Sequence, residues 1–295
     1  MTANEDQLIT LSKPPSETEE EKCRSAVSRI SSVLSSKYGS SVSIFLQGSY
    51  KNRTNVKKDS DVDIVVRHDD HYFGSTHFLP ESEKQLYLQL PNSAYTFENF
   101  KDEVQAILEQ EFDVGEIKRK DKCIRVWGNT YRVNADVVPC FVHKILKTHL
   151  DASDEGIELR TDKGLNVISF PQQHFENGTK KNVDTEAMYK SVVRILKNAR
   201  NGLVDEGTIT DKAMPSFFLE SLVWNVPDSN FILDTFREST KSIIQTVWND
   251  MGDFAKYNEY AEVNDLHWLL RGGNKYTPEQ AKLFMQNAWN YLGYD

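Results

Sequence analysis

Asp61 and Asp63 stand two residues apart at the start of an apolar stretch, DVDIVV. Read as a strand, that stretch turns Val62 and Ile64 to one face and the two carboxylates to the other, roughly 7 Å apart along the chain. Carboxylates so spaced can hold two divalent cations about 3.5–4 Å apart, with one carboxylate shared. Upstream, Gln47-Gly48-Ser49 follows another apolar run, VSIFL. Glycine lets backbone N–H groups approach a ligand closely, Ser49 adds a hydroxyl, and a helix opening there offers an anion its free N–H groups. A third acid, Asp136, lies in YRVNADVV (131–138), where alternation groups it with Arg132 and Asn134. Beside Val137, Val138 and Pro139, such an acid needs a partner or a metal. Three acids converging from neighbouring strands make a two-metal site. One ion activates an attacking hydroxyl; the other holds a triphosphate and stabilises the departing pyrophosphate.

Each part has a plainer explanation when taken alone. A D-x-D in an acidic chain is usually a turn or a solvated edge, and Gly-Ser after a strand says little. Their conjunction, at this interval and with a distal strand aspartate, is what points to chemistry. A calcium loop over Asp59-Ser60-Asp61-Val62-Asp63 is rejected. That motif wants glycine at its sixth position and a late glutamate, whereas Ile64 and apolar residues stand there.

The elements that must position these residues follow from periodicity. Residues 1–15 are polar, end in Pro14-Pro15, and read as a loose tail or extended arm. Ser16 and Glu19 form a capping box, followed by a long amphipathic helix through Cys23, Ala26, Ile30 and Leu34 that stops at Gly39. Strands are expected at 42–46, 61–66, 115–119, 122–127 and 131–138, the last closed by Pro139, with a helix at 97–112. From about 183 the pattern is helical, with segments near 188–202, 215–222, 231–248, 254–270 and 278–292. The class is α+β. A mixed-sheet N-terminal lobe (1–182) carries the acids, and a helical C-terminal lobe (183–295) follows.

The 295 residues carry a formal net charge of -9. Basic residues occur only in small groups such as Lys57-Lys58, Lys118-Arg119-Lys120 and Lys180-Lys181, which read as solvated surface. A long nucleic acid is therefore not the expected partner. No apolar run approaches the twenty residues of a membrane span, and the N-terminus lacks the pattern of a secretory signal. The cysteines, Cys23, Cys123 and Cys140, suit neither a disulfide framework nor a zinc site, and they fit a reducing cytoplasm.

The set Gly48-Ser49, Asp61-x-Asp63 and Asp136 resembles the polymerase β-like nucleotidyltransferase superfamily. The wording GSYKNRTNV followed by DSDVDIVV is similar to the bacterial cyclic GMP–AMP synthase/DncV-like nucleotidyltransferases, the CD-NTases. Downstream segments add to the likeness. They are Phe170-Pro171 with His174, Asn177-Gly178 and Asn182; Tyr189-Lys190 with Arg194 and Lys197; and Met214-Pro215-Ser216-Phe217 with Glu220 and Asn225-Val226-Pro227.

The resemblance implies a two-lobe cage. Gln47, Gly48 and Ser49 would hold the donor triphosphate. Asp61, Asp63 and Asp136 would be catalytic and bind two Mg²⁺ ions, with Mn²⁺ as the alternative, and Asp136 would lie nearest the attacking hydroxyl. Lys197 and Ser216 would contact donor phosphates and Phe217 would stack on the donor base. Lys197 could equally be a helix charge and Ser216 a cap, and either Phe217 or Phe218 must be core. The implied activity is template-independent joining and cyclisation of nucleoside triphosphates into a cyclic di- or trinucleotide. This second messenger would be sensed by a downstream effector in anti-phage (CBASS) defence, and the synthase is expected to be a monomer. Two other readings keep part of the site: nucleotidyl transfer to an antibiotic, protein or tRNA end, and nucleotide binding without catalysis.

Overall fold

The computed structural model describes residues 3–57, 61–271 and 275–294. Helices α1 (Glu5–Ser12) and α2 (Glu17–Tyr38) come first, then strand β1 (Val42–Gln47) and the short α3 (Gly48–Asn52). Strand β2 (Val62–Ser75) precedes α4 (Glu81–Leu88) and α5 (Phe97–Glu111). Strands β3 (Ile117–Arg119), β4 (Ile124–Val126), β5 (Ala135–Leu146), β6 (Ala152–Arg160) and β7 (Asn166–Ser169) follow. The remaining helices are α6 (Pro171–Asp184), α7 (Met188–Asp205), α8 (Ser216–Trp224), α9 (Phe236–Asp250), α10 (Phe254–Tyr257) and α11 (Pro278–Leu292).

The chain divides into two compact units, one holding Ser16–Tyr50 and Ser60–Pro171, the other Met1–Pro15, Lys51–Asp59 and Gln172–Asp295. A sheet unit and a helical unit were expected from the sequence, but the structure groups the chain differently from a cut at 182/183. The first fifteen residues and the start of α6 fall in the helical unit.

In the sheet unit the strand order is β1-β2-β5-β4-β3, with β6 beside β5 and β7 beside β6. Only β2 and β5 run parallel among the described pairs, so the sheet is mixed. The connection between them carries α4 and α5, as a parallel crossover requires. Register places Gln47 opposite Asp63, Asp63 opposite Asp136, and Asp136 opposite Arg125. Four functional-looking side chains thus stand in one row across four strands.

The core beneath that row is built by Ile30 and Leu34 of α2, Phe100, Val104 and Leu108 of α5, and Val62, Ile64, Ile124, Val126 and Val137 of the strands. Each such side chain contributes about 1.5–3 kcal/mol by leaving water. The expected capping box at Ser16 and Glu19 is present, and α2 ends at Gly39, whose φ of 59° is left-handed.

Pro139 does not close β5, which runs on to Leu146. The Val62 N–H donates to the Asn134 carbonyl. Even-numbered β5 residues therefore turn their backbone groups toward β2, and odd-numbered ones, Pro139 included, turn them away. On that other side, pairing with β4 ends at Val137 and pairing with β6 begins at Phe141. The missing N–H of Pro139 falls in the gap and costs no ladder bond. The same strand begins at Ala135, not at 131, because Asn129 and Arg132 form an isolated bridge instead.

In the helical unit, α7 is central, with Tyr189, Val192, Val193, Ile195, Leu196, Ala199 and Leu203 buried. The expected loose N-terminal arm is in fact helix α1. Asn4 caps it by accepting from the Gln7 N–H at 2.9 Å, Leu8 is wholly buried, and Glu5 accepts the Phe236 and Arg237 N–H groups at the start of α9. The helix expected over 254–270 stops at Tyr257. There Asn264 accepts the Leu266 and His267 N–H groups, and Ala261 bridges Trp268. Local side-chain bonds of this kind compete with the helix ladder.

One buried charge fastens the β3–β4 turn to α5. Lys101, 2% exposed, donates to the Lys120 and Asp121 carbonyls and to Asp162, at 2.7, 2.9 and 2.8 Å. Lys101→Met would take the ammonium from the Lys120 carbonyl and leave the Asp121 carbonyl and Asp162 with only their remaining partners, the Asp162 N–H and Arg119. It should lower unfolding free energy in urea titration by about 2–4 kcal/mol.

Candidate active site

β1 delivers the chain to Gly48, whose φ of +69° is accessible to glycine at little cost. A Cβ there would collide with the Asp63 carboxylate, which rests directly against the glycine. The turn and the acid are therefore one construction: Gly48 is needed both for its backbone conformation and for the room it leaves. Ser49 follows in α3.

Asp61 is held from two sides. Its Oδ1 accepts from Asn134 Nδ2 at 2.9 Å and its Oδ2 from Arg125 Nη2 at 2.5 Å. Asp136 receives a two-point grip from the same guanidinium, Nε to Oδ1 at 2.8 Å and Nη2 to Oδ2 at 2.9 Å. Lys120 Nζ lies 3.4 Å from Asp136 Oδ1. Because one nitrogen, Nη2, bonds both acids, the Asp61 and Asp136 oxygens cannot lie farther apart than those two bonds end to end. Asn134 is itself fixed, its Oδ1 accepting the Gly128 N–H at 2.9 Å.

The three expected acids thus converge, and the structure adds Arg125, Asn134 and Lys120, which sequence reasoning did not single out as site residues. A signal for Arg125 existed. In KCIRVW it is a charged residue between Ile124 and Val126, the same anomaly that drew notice to Asp136.

The electrostatics divide the acids. Burial, then the charges of Asp136 and Asp61, push the Asp63 carboxyl up to about 7. Burial acts upward on Asp136 too, but Arg125 and Lys120 outweigh it and hold that carboxyl below the usual range. Like charges in one site split their proton affinities in this way. The donor set is oxygen-only and anionic, which suits a hard divalent cation such as Mg²⁺ or Mn²⁺. Among the described residues no three such side chains are gathered as a finished metal cage. Asp61 and Asp136 are gathered on Arg125 instead.

Lys197, Ser216 and Phe217 belong to the helical unit. Lys197 is fully buried and its Nζ donates to the Thr54 carbonyl at 3.0 Å. The Thr54 hydroxyl donates to Glu220, which also bonds the His174 ring at 3.0 Å. Burial alone would raise the Glu220 carboxyl, but His174, Lys197 and the Thr54 hydroxyl hold it low. The Ser216 hydroxyl accepts from Arg200 at 2.7 Å. Of the adjacent phenylalanines, Phe218 is core, stacked on Tyr276 at 4.4 Å, while Phe217 stays half-buried beside His174. A cavity of about 640 Å³ at the far end of β2, walled by Tyr72, Phe73, Tyr95 and Phe141, contains none of the acids.

The chain is similar to known proteins. Residues 27–141 match the family described as a nucleotidyltransferase domain. Residues 176–293 match the cGAS/DncV-like nucleotidyltransferase C-terminal helical domain. The chain is 43% identical over 295 residues to a cyclic dipurine nucleotide synthase of Elizabethkingia meningoseptica, covering all of both chains. It is 35% identical to the cyclic dipyrimidine nucleotide synthase CdnE of Cecembia lonarensis, over 98% of each. Its fold is similar to that of the Elizabethkingia meningoseptica CdnE cyclic dinucleotide synthase solved with GTP and Apcpp. The TM-score is 0.85 and the identity 41%, over 99% of this chain and 100% of that one.

Two measurements test the geometry. Gly48→Ala should cost about 1–3 kcal/mol of stability, from the left-handed backbone and the displaced carboxylate. By moving Asp63 it should also cut turnover about 10²-fold, as read from pyrophosphate release. The second concerns pH. Asp63 holds its proton to about 7 in the folded chain, against an ordinary carboxylate value of 3.8. Between those values the folded state binds more protons than the unfolded one, so raising pH through that window destabilises the fold. In EDTA, Asp63→Asn should therefore melt above the wild type at pH 8, and the difference should shrink toward pH 4.

Proposed function

The chain belongs to the bacterial cGAS/DncV-like nucleotidyltransferases, the CD-NTases, and from that premise we propose that it joins and cyclises two purine nucleoside triphosphates, releasing two pyrophosphates. It is a nucleotidyltransferase that makes a cyclic nucleotide from nucleoside triphosphates. The convergence of Asp61, Asp63 and Asp136 beside Gly48 supports the nucleotidyl transfer, and the purine choice rests on the 43% identity to a cyclic dipurine synthase over the whole chain. The reading includes a product sensed by a separate effector in anti-phage defence.

Asp61, Asp63 and Asp136 would hold Mg²⁺ or Mn²⁺, which when bound supplies charge neutralisation at the triphosphate and acidifies the attacking hydroxyl. The protein's own groups do the rest. The Gly48-Ser49 turn brings backbone N–H groups and a hydroxyl to the donor triphosphate without a side chain in the way. The ribose hydroxyl of the acceptor gives its proton to an Asp136 carboxylate oxygen and attacks the donor α-phosphorus, and pyrophosphate leaves. The linear dinucleotide then presents its other hydroxyl to its own α-phosphorus, and a second pyrophosphate leaves as the ring closes. Positioning and charge placement account for most of such an acceleration. Ser216 and Phe217 are assigned to the donor nucleotide in this reading, Phe217 being half-buried while Phe218 fills the core. The phosphate contact expected of Lys197 is dropped, because that side chain is wholly buried with its Nζ on the Thr54 carbonyl.

Incubation with all four triphosphates and Mg²⁺ or Mn²⁺, then phosphatase and mass spectrometry, tests this directly. A phosphatase-resistant cyclic dipurine is expected. Asp61→Ala and Asp63→Ala should each lose about 10³-fold or more of the turnover with unchanged circular dichroism. Label on an antibiotic, protein or tRNA acceptor would replace cyclisation with transfer. Nucleotide binding without pyrophosphate release would sink catalysis altogether.

A further inference from the structure

Arg125 does more than sit near the acids. Among the described residues its guanidinium makes three hydrogen bonds, all to expected metal ligands: one to Asp61 at 2.5 Å and two to Asp136 at 2.8 and 2.9 Å. It occupies both Asp136 oxygens and one Asp61 oxygen, and Asn134 takes the other Asp61 oxygen. The side chain is 14% exposed. The strand under it is locked, since Ile124 and Val126 on either side are wholly buried and Arg125 pairs in register with Asp136. The charge can therefore shift by rotating the side chain but cannot leave with the strand. The Trp127 ring, 5.3 Å from the guanidinium carbon, offers its face on the same side chain's flank.

The two charges of Asp61 and Asp136 are already matched by those of Arg125 and Lys120. A divalent cation brought to Asp61 and Asp136 meets a fixed positive charge within hydrogen-bond distance of its own ligands. The repulsion weakens its binding whether or not the guanidinium moves aside. A nucleoside triphosphate reverses the balance by carrying several negative charges and its own oxygen ligands. Mg²⁺ is commonly bound in this way, by one or two carboxylates plus substrate phosphates.

We propose that Arg125 is a resident counter-cation. It holds Asp61 and Asp136 together before any metal arrives, and it makes loading of the divalent cation conditional on the triphosphate. The proposal rests on the reading of Asp61, Asp63 and Asp136 as metal ligands. Its consequence is that the free enzyme carries little bound metal, and that metal and nucleotide enter together.

The test is Mn²⁺ binding followed by electron paramagnetic resonance of the free ion, with and without a non-hydrolysable ATP analogue, on the wild type, Arg125→Gln and Arg125→Lys. Melting in EDTA and in Mn²⁺ is measured alongside. The wild type should bind Mn²⁺ at least about tenfold more tightly with the analogue than without it. Arg125→Gln should bind Mn²⁺ alone about tenfold more tightly than the wild type, and the benefit of the analogue should shrink. It should melt lower than the wild type in EDTA and recover in Mn²⁺, because the metal replaces the missing charge. Arg125→Lys keeps the charge and should keep the nucleotide dependence. If the glutamine variant does not fold, Arg125→Met, which retains an apolar stem against Trp127, takes its place. Equal or weaker Mn²⁺ binding by the folded neutral variant would overturn the proposal, since a purely structural arginine gives that result. Wild-type Mn²⁺ binding that survives Asp63→Asn would remove the metal-ligand reading itself, and this proposal with it.

Discussion

Asp63 and Asp136 lie opposite one another on adjacent parallel strands, in register, at the spacing of a hydrogen-bonded ladder. Asp61 joins them one turn of the pleat away. Three carboxylates at that separation, partly screened from water, repel strongly, and the fold must answer the repulsion before it can use it. The answer is unequal. Arg125 and Lys120 compensate Asp136, Arg125 and Asn134 compensate Asp61, and Asp63 takes the remainder by holding its proton. Much of the sheet unit serves this arrangement. The β3–β4 strands exist in the right place to present Arg125, and Lys101 ties their turn to α5 through two carbonyls and Asp162.

The same constraint explains the glycine. A carboxylate that must sit tightly among like charges has little freedom to move sideways, and Gly48, lacking a side chain, leaves room for the Asp63 carboxylate. The left-handed φ then turns the chain from β1 into α3 at the point where a triphosphate would need close backbone approach. Turn, acid and anion-facing backbone are coupled sterically, so a disturbance at one reaches the others.

Much of this was legible in the sequence because it rests on local rules. Alternation gave Asp61 and Asp63 a common face, and the buried Val62 and Ile64 bear that out. The intrusion of Asp136 into an apolar run marked a residue with a partner, and the Ser16–Glu19 capping box and the Gly39 stop were direct readings of helix-end chemistry. What was not legible depends on contacts distant in sequence. The expected arm holds helix α1 (Glu5–Ser12) because Leu8 finds a buried site among helices far along the chain and Glu5 caps α9. Pro139 passes through β5 because its neighbour strands leave a gap there, which only the full topology reveals. The apolar spacing over 254–270 suggested a helix, yet Asn225 and Asn264 claim its backbone through side-chain bonds. Arg125 was visible as an anomaly, but its partners lie 11 and 64 residues away.

The acids also limit what any reading of this site can say about bases. They act on phosphate oxygens and a ribose hydroxyl, which every nucleoside triphosphate carries. Relatives similar to this chain over nearly its whole length include a cyclic dipurine and a cyclic dipyrimidine synthase. Whatever such chains share cannot fix the base, so the choice must come from groups that meet the base edge. Those groups work by hydrogen bonds and stacking, where one unpaired donor discriminates strongly. Charge chemistry at Asp61, Asp63 and Asp136 can therefore stay unchanged while specificity drifts. This separation between a demanding electrostatic centre and a replaceable reading surface lets one fold make different signals.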